Sequence, residues 1–346
     1  MRPGDSLVVQ ALRSYRGEPL SGSHSYPVVR DLPDPAPRNR VGRALTPVRA
    51  VVRSFRRRRL ARLADVVHVE TITYEVDAFT LPRLARSVPT VVMVHDVEPH
   101  AQRLPHAVHS WLSRRVYRST AHFVVYHRVL AEELVTRYGM VRERVHVAPI
   151  PTSPQPRETR VPDAECPTVL LFGSLRANKG IDDFLRALPL LTEPSLRVVV
   201  AGGGEREIES RLRAHQAMDP RLELELGQVD DHRKWELFES ASCVVLPYTS
   251  FHSQSGVLAD AYSASRPLVV TDVGAIGPTV RDDQTGEVVP PSDPAALAAA
   301  IDKVLRAGVP AYADRLAAAV VRHEPRAVGA VLREVYETAA RGRSTS

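Results

Sequence analysis

The stretch YTSFHSQSGVLADAYSASRPLVVT, residues 248–271, passes from a polar turn into an alanine-rich helix and then into an apolar strand led by Pro267. Loop, helix and strand in that order are part of a repeating α/β pattern. The turn Gln254-Ser255-Gly256 opens the helix, where backbone N–H groups lack intrahelical partners and the helix dipole adds partial positive charge. An anion is the natural guest of such an end. Asp260 follows Gly256 at i+4, where a carboxylate could face the same cleft and accept hydrogen bonds from sugar hydroxyls. Phosphate and hydroxyls together suggest a nucleotide.

Around this stretch the same alternation repeats. Strands are predicted over 168–172, 197–201, 222–226, 243–246 and 288–289, with helices over 181–191, 206–217, 231–240 and 294–305 and further helices filling most of 310–341. Asp293 is the expected N-cap of the helix that begins at Pro294. An earlier series has strands over 66–69, 90–94, 123–125 and 145–147, with helices over 79–86, 111–118 and 130–138. Each series implies a parallel sheet with helices on both faces. The prolines from Pro149 to Pro162 mark a linker between them. Before the first series, residues 6–11 read as a short strand, and the Pro-, Gly- and Ser-rich residues that follow, to Val41, as loop. Residues 46–64 form a helix by propensity and carry seven arginines. That helix is either solvated or a patch for a membrane surface or an acceptor phosphate.

A chain of 346 residues, 44% hydrophobic and 25% charged, has the length and composition of two globular domains. Cys166 and Cys243 lie far apart in or beside apolar runs, which suggests two buried, reduced thiols in a cytosolic protein. No apolar run reaches the roughly 18 residues of a membrane span. Charge is uneven: residues 1–150 hold 24 Arg and no Lys against 13 Asp and Glu, a balance of +11 within a chain whose total is +6. The basic first half points to an anionic partner or to a general preference for arginine, since only Lys179, Lys234 and Lys303 are lysines. His100, His106, His109 and His122 lack compact metal-ligand spacing, and Gly202-Gly203-Gly204 lacks the G-x-G-x-x-G pattern of a nicotinamide-binding turn. The arginine run 56–59 has few aromatics beside it, which disfavours nucleic acid.

Two positions carry more specific chemistry. Arg176 and Lys179, three apart after the strand at 168–172, are either solvated charges on a surface turn or a pair of cations facing a diphosphate. His95-Asp96 closes the strand at 90–94, at the end where open α/β sheets bind ligands.

Gly173…Arg176…Lys179-Gly180, Ala201-Gly202-Gly203-Gly204, Val244-Val245-Leu246-Pro247-Tyr248, Gln254-Ser255-Gly256-Val257 and Arg266-Pro267-Leu268-Val269-Val270-Thr271-Asp272-Val273-Gly274 occur in an order that resembles glycosyltransferase family 4. Gly286-Glu287-Val288-Val289-Pro290 and Asp293-Pro294-Ala295-Ala296-Leu297 continue the likeness, which spans most of residues 168–305. Asp65-Val66-Val67-His68-Val69, Val94-His95-Asp96 and Ala148-Pro149-Ile150-Pro151 look like weaker marks of the same family in the first half.

The resemblance implies a GT-B fold: two Rossmann-like α/β domains facing across a cleft, residues 1–153 for the acceptor and 154–325 for the nucleotide sugar. Residues 326–346 would form a C-terminal helix packing back on the first domain. It implies a retaining, metal-independent transfer of a hexosyl unit from a nucleoside-diphosphate sugar, with no cofactor, to a hydroxyl acceptor that is lipid-linked or a small metabolite. His95, Arg176 and Lys179 would be catalytic. Gly173, Arg176, Lys179, Gly203, Val229, His252, Ser255, Gly256, Val257 and Asp260 would line the donor site. The expected location is cytoplasmic, with peripheral contact at the anionic inner face of a membrane through the basic half. The family commonly places two glutamates eight positions apart where this chain has His252 and Asp260. His252 is then a site residue or a loop residue. The substitution also admits a second reading, a GT-B nucleotide-sugar-binding or partner protein with impaired catalysis.

Overall fold

A computed structural model of the chain describes residues 9–12, 28–32, 61, 64–97, 105–153, 166–251 and 253–341. The chain forms two compact units: Met1–Met93 with Arg103–Phe123 and Val335–Ser346, and Val94–Gln102 with Val124–Glu334. Strands β1 (Val9–Leu12) and β2 (Val28–Leu32) pair in parallel, Val9 opposite Val28. The sequence reading of residues 28–32 as loop is therefore corrected, because Val28-Val29 supply β-branched residues that suit a ladder. The arginine-rich helix 46–64 and the linker after Ser153 lie, but for Ala61 and Ala64, outside the described residues.

Strands β3 (Val67–Val69), β4 (Thr90–Met93), β5 (His122–Val125) and β6 (Val145–Val147) make a four-stranded sheet in that order. Helices α1 (Tyr74–Ser87), α2 (His106–Tyr117) and α3 (Arg128–Tyr138) alternate with these strands. Helix α1 begins five residues before the expected start at Phe79. The Asp77 carboxylate accepts from the Thr73 amide at 2.8 Å, which holds a polar first turn that apolar periodicity does not mark.

The larger sheet is formed by β7 (Thr168–Phe172), β8 (Arg197–Gly202), β9 (Leu222–Leu226), β10 (Cys243–Leu246), β11 (Leu268–Thr271) and β12 (Gly286–Val289). Its order is β12-β11-β10-β7-β8-β9, and every pairing is parallel. Leu170, Val198, Val244 and Val269 are fully buried, as central strands covered on both faces require. Helices α4 (Ile181–Ala187), α5 (Arg206–Gln216), α6 (Asp231–Ser240) and α7 (Gly256–Ser263) connect successive strands. Helices α8 (Ile276–Asp283), α9 (Pro294–Ala307), α10 (Ala313–His323) and α11 (Pro325–Arg341) complete the described chain. Helix α8 had no counterpart in the sequence reading, and α4 stops at Ala187, four residues short of the expected end. There Pro189 tightens the chain into a 3-10 turn over Leu188–Leu190. Cys243 is buried, whereas Cys166 is only half-buried, a correction for the residue that precedes β7.

The strand order decides where a ligand can sit. Numbering rises from β7 to β9 on one side and from β10 to β12 on the other, so the topology switches between β7 and β10. In open parallel sheets the crevice outside the carboxyl ends of the two switch-point strands is the binding position. Here those ends are Phe172 and Leu246.

Candidate functional site

Beyond Phe172 the chain is turned by Gly173, at φ +115°, whose amide donates to Ala201 O at 2.9 Å. A Cβ at Gly173 would lie 3.3 Å from Val257 Cγ2, so its small size lets the β7 turn approach the first turn of α7. The Leu175 amide then bonds Gly203 O at 3.0 Å, fixing the loop against the end of β8. Arg176 is exposed and begins a 3-10 turn, Ala177–Lys179. Gly180 follows at φ +67°, and a Cβ there would sit 1.6 Å from Pro247 O. Only glycine fits between that turn and the end of β10.

The two switch-point loops are sewn together. The Thr249 amide donates to Asn178 O at 3.0 Å, and Asn178 Nδ2 donates to Ser250 O at 3.3 Å. This seam brings the Lys179 ammonium 3.6 Å from the Tyr248 ring centroid and 4.7 Å from that of Phe251. The two rings meet edge to face with centroids 5.2 Å apart. Desolvation by burial, helped by Arg176 and opposed by Asp96, lowers the Lys179 pKa to about 8. The cation is thus held by ring faces and backbone geometry, in a place where an anion would find it poorly hydrated.

Tyr248 is buried and its hydroxyl lies 3.0 Å from Ser255 Oγ. Ser255, the N-cap of α7, uses its hydroxyl there and makes no side-chain cap bond. The amides of Gly256 and Val257 therefore have no acceptor among the described residues, as a helix end open to an anion requires. Gln254 supports the turn from below, its Nε2 donating to Thr279 Oγ1 at 2.7 Å and its Oε1 accepting from the Ser255 amide at 3.0 Å. On the next turn of α7, Asp260 Oδ1 accepts from Ser153 Oγ at 2.6 Å and lies 3.8 Å from Lys234 Nζ.

His95 Nδ1 bonds the Tyr126 hydroxyl at 2.8 Å, and the His95 carbonyl accepts from Ser253 Oγ. Asp96 and Ser253 form an isolated antiparallel bridge, which ties the loop after β4 to the loop before α7. Gly203 packs at the β8 end, and Val229 is half-buried against the core. His252 lies outside the described residues. Gly173, Lys179, Ser255, Gly256 and Val257 are thus drawn together around the switch point, with Arg176 at its exposed edge. The sequence reading missed Tyr248 and Phe251 as partners of Lys179 and missed Ser153 and Lys234 as partners of Asp260. The scarcity of lysine, which marked Lys179, also marked Lys234.

The profile described as Glycosyltransferase Family 4 matches residues 8–155, and that described as Glycosyl transferases group 1 matches residues 166–307. Glycogen synthase of Mycobacterium tuberculosis is 29% identical over 304 residues, covering 80% of this chain and 70% of the relative. Phosphatidyl-myo-inositol mannosyltransferase of Mycobacterium leprae is 34% identical over 178 residues, covering 50% of this chain and 47% of the relative. Among solved structures, sucrose-phosphate synthase from Thermosynechococcus elongatus superposes with a TM-score of 0.71 at 19% identity, over 99% of this chain and 90% of that one. HepE of Anabaena in complex with UDP gives 0.68 at 15% identity, over 85% and 83%. Two parallel Rossmann-like sheets, one with a glycine-turned cation at its switch point, have the GT-B fold of these solved structures, and the two matching profiles with the similar curated proteins make the chain a glycosyltransferase acting on nucleotide sugars. The chain belongs to glycosyltransferase family 4.

Proposed function

We propose that this glycosyltransferase transfers a hexosyl unit from a nucleoside-diphosphate sugar to an acceptor hydroxyl, with retention at the anomeric carbon and without a metal ion. The observation that carries the reading is the Lys179 ammonium, caged by Tyr248 and Phe251 beside the open N-terminal amides of α7. In the reaction the bond between anomeric carbon and diphosphate oxygen breaks, and the electron pair leaves with the diphosphate. The acceptor oxygen forms the new bond to the anomeric carbon and gives up its proton to the departing diphosphate. Lys179, Arg176 and the Gly256 and Val257 amides offset the charge that builds on the leaving group, a task that a metal ion performs elsewhere. Asp260 accepts from the ribose hydroxyls with the oxygen that Ser153 leaves open. His95 contacts a hydroxyl of the donor sugar or the incoming acceptor.

A hexosyl donor is favoured by the similar proteins, which include a glycogen synthase, a mannosyltransferase and HepE in complex with UDP-glucose. The test is a panel of nucleoside-diphosphate hexoses in an assay for released nucleoside diphosphate, with and without a chelator. Release that persists in the chelator and yields a product of unchanged anomeric configuration is expected. Tight binding of a nucleoside diphosphate with no release from any donor would instead favour the binding-protein reading, which His252 and Asp260 in place of two glutamates motivate.

A further inference from the structure

Helices α1 and α2 pack side by side within the unit that begins at Met1. Their inner faces bury Ala78, Leu81, Leu84, Leu112 and Val116. Their outer faces leave large apolar side chains in solvent: Phe79 is 43% exposed, Val108 43% and Trp111 51%. These three are contiguous, since the Phe79 and Trp111 rings have centroids 5.9 Å apart and Val108 precedes Trp111 by one helical turn. The Arg115 guanidinium carbon stands 5.5 Å from the Phe79 centroid and 5.8 Å from that of Trp111, and its Nε donates to Ala78 O at 2.9 Å. Arg83, Arg86, Arg114 and Arg118 are exposed along the same two helices and the residue that caps α2. Against these five arginines the two helices set a single exposed carboxylate, Glu75, because Asp77 is buried in bonds from Thr73 and Thr80.

None of these side chains belongs to the donor site described above, and the exposed apolar area of Phe79, Val108 and Trp111 would gain free energy by leaving water. Aromatic rings with arginines laid across them fit one kind of surface well, the boundary where apolar chains meet phosphate headgroups. A second copy of the face would bring five arginines against five, a repulsive pairing. We propose that the α1–α2 face docks on a lipid bilayer carrying anionic headgroups, with Phe79, Val108 and Trp111 entering the headgroup boundary and the surrounding arginines meeting lipid phosphates. The attraction is local to this face and does not depend on the arginine run 56–59. It also stands apart from the reading of the donor site, because its test reads binding rather than turnover.

The full chain is mixed with vesicles of phosphatidylglycerol and phosphatidylcholine in equal parts, or of phosphatidylcholine alone, at low salt. It is expected to sediment with the first and not the second. The chain has two tryptophans, and Trp235 is buried, so the emission should shift to the blue through Trp111 alone. Brominated phosphatidylglycerol should quench that emission in the wild-type chain, a readout that needs no variant. Arg86→Ala combined with Arg118→Ala should weaken vesicle partition by about twenty-fivefold, each arginine near an anionic surface counting for about fivefold. Sedimentation that is absent, or unchanged in this double variant, would overturn the proposal. So would a blue shift that grows with protein concentration without lipid, which marks a second copy, or one produced by single-stranded DNA and not by phosphatidylglycerol.

Discussion

Lys179 offers the sharpest test of the donor site because its environment changes a property that binding can report. An ordinary lysine titrates near 10.5, whereas here burial, with repulsion from Arg176 and partial relief from Asp96, brings the pKa to about 8. At pH 7 roughly nine-tenths of the side chain is ammonium, and at pH 9 roughly one-tenth. If the ammonium is what meets the diphosphate, affinity for UDP should be level near pH 7 and weaken about tenfold by pH 9. The window lies above the ligand's own titration, since a terminal phosphate loses its second proton near pH 6. Binding of the anion must in turn raise the lysine pKa, so at pH 8 the complex should take up about half a proton per site. Calorimetry in buffers of different ionisation enthalpy measures that uptake directly. Lys179→Met should abolish the uptake and flatten the pH dependence. The variant also isolates a stability effect. The unfolded chain holds a lysine proton that the folded chain has lost between pH 8 and 10.5, so wild-type stability should rise with pH across that window relative to Lys179→Met. Affinity that stays constant from pH 7 to 9, or a pH dependence that survives in Lys179→Met, would refute the assignment of the lysine to the diphosphate.

Two other perturbations read different parts of the unit. Asp260→Asn should weaken UDP binding about tenfold while leaving inorganic pyrophosphate unaffected, because only the former brings ribose hydroxyls to this carboxylate; equal loss for both ligands would assign Asp260 to holding Ser153 and Lys234 instead. Asp283 is buried, which alone would raise its pKa, but bonds from His323 at 3.1 Å and Tyr262 at 2.8 Å and the charge of Arg322 hold it below 3.8. Its contribution is present above about pH 4 and is lost as pH falls through the folded value. Asp283→Ala should cost about 3 kcal/mol in urea unfolding at pH 7, since it leaves His323 Nε2 buried without its partner and Tyr262 with Thr285 alone; a loss well under 1 kcal/mol would show that these groups find water.

The alternation of strand and helix was legible because the central strands of the larger sheet are short apolar runs such as Val198-Val199-Val200, and helices are opened by a turn or a cap such as Asp293, whose carboxylate accepts from the Ala296 amide. The glycines of the site were legible for a related reason, since Gly173 and Gly180 stand at fixed distances from those runs. What could not be read was any feature made by two loops at once. Helix α8 was overlooked because IGPTVRDD contains Gly277 and Pro278 and has too few apolar residues for periodicity to show. It is held instead by Gln254 on Thr279 and by Tyr262 on Asp283, contacts from α7 and the turn before it that no local pattern contains. Cys166 read as buried because it adjoins an apolar strand, yet it stands before the ladder begins at Thr168.

The same distinction explains how Lys179 acquires its character. Spacing from Arg176 alone favours a solvated pair over a diphosphate clamp, because two exposed cations three apart have ordinary properties. What sets this lysine apart comes from residues about 70 positions downstream: Pro247, whose carbonyl excludes any side chain at position 180, and Tyr248 and Phe251, whose rings replace water around the ammonium. Tyr248 in turn occupies the Ser255 hydroxyl, which would otherwise be free to cap α7. One tyrosine therefore both desolvates the cation and leaves the helix amides open. Tyr248→Phe should separate these effects. The ring face remains, so Lys179 keeps its low pKa and UDP binding keeps its loss above pH 8. The freed Ser255 hydroxyl can turn to the amide of α7 that an anion would use, so affinity at pH 7 should fall by about fivefold, the equivalent of one neutral hydrogen bond. Affinity unchanged at pH 7 would mean that the amides of Gly256 and Val257 do not contribute to the anion site.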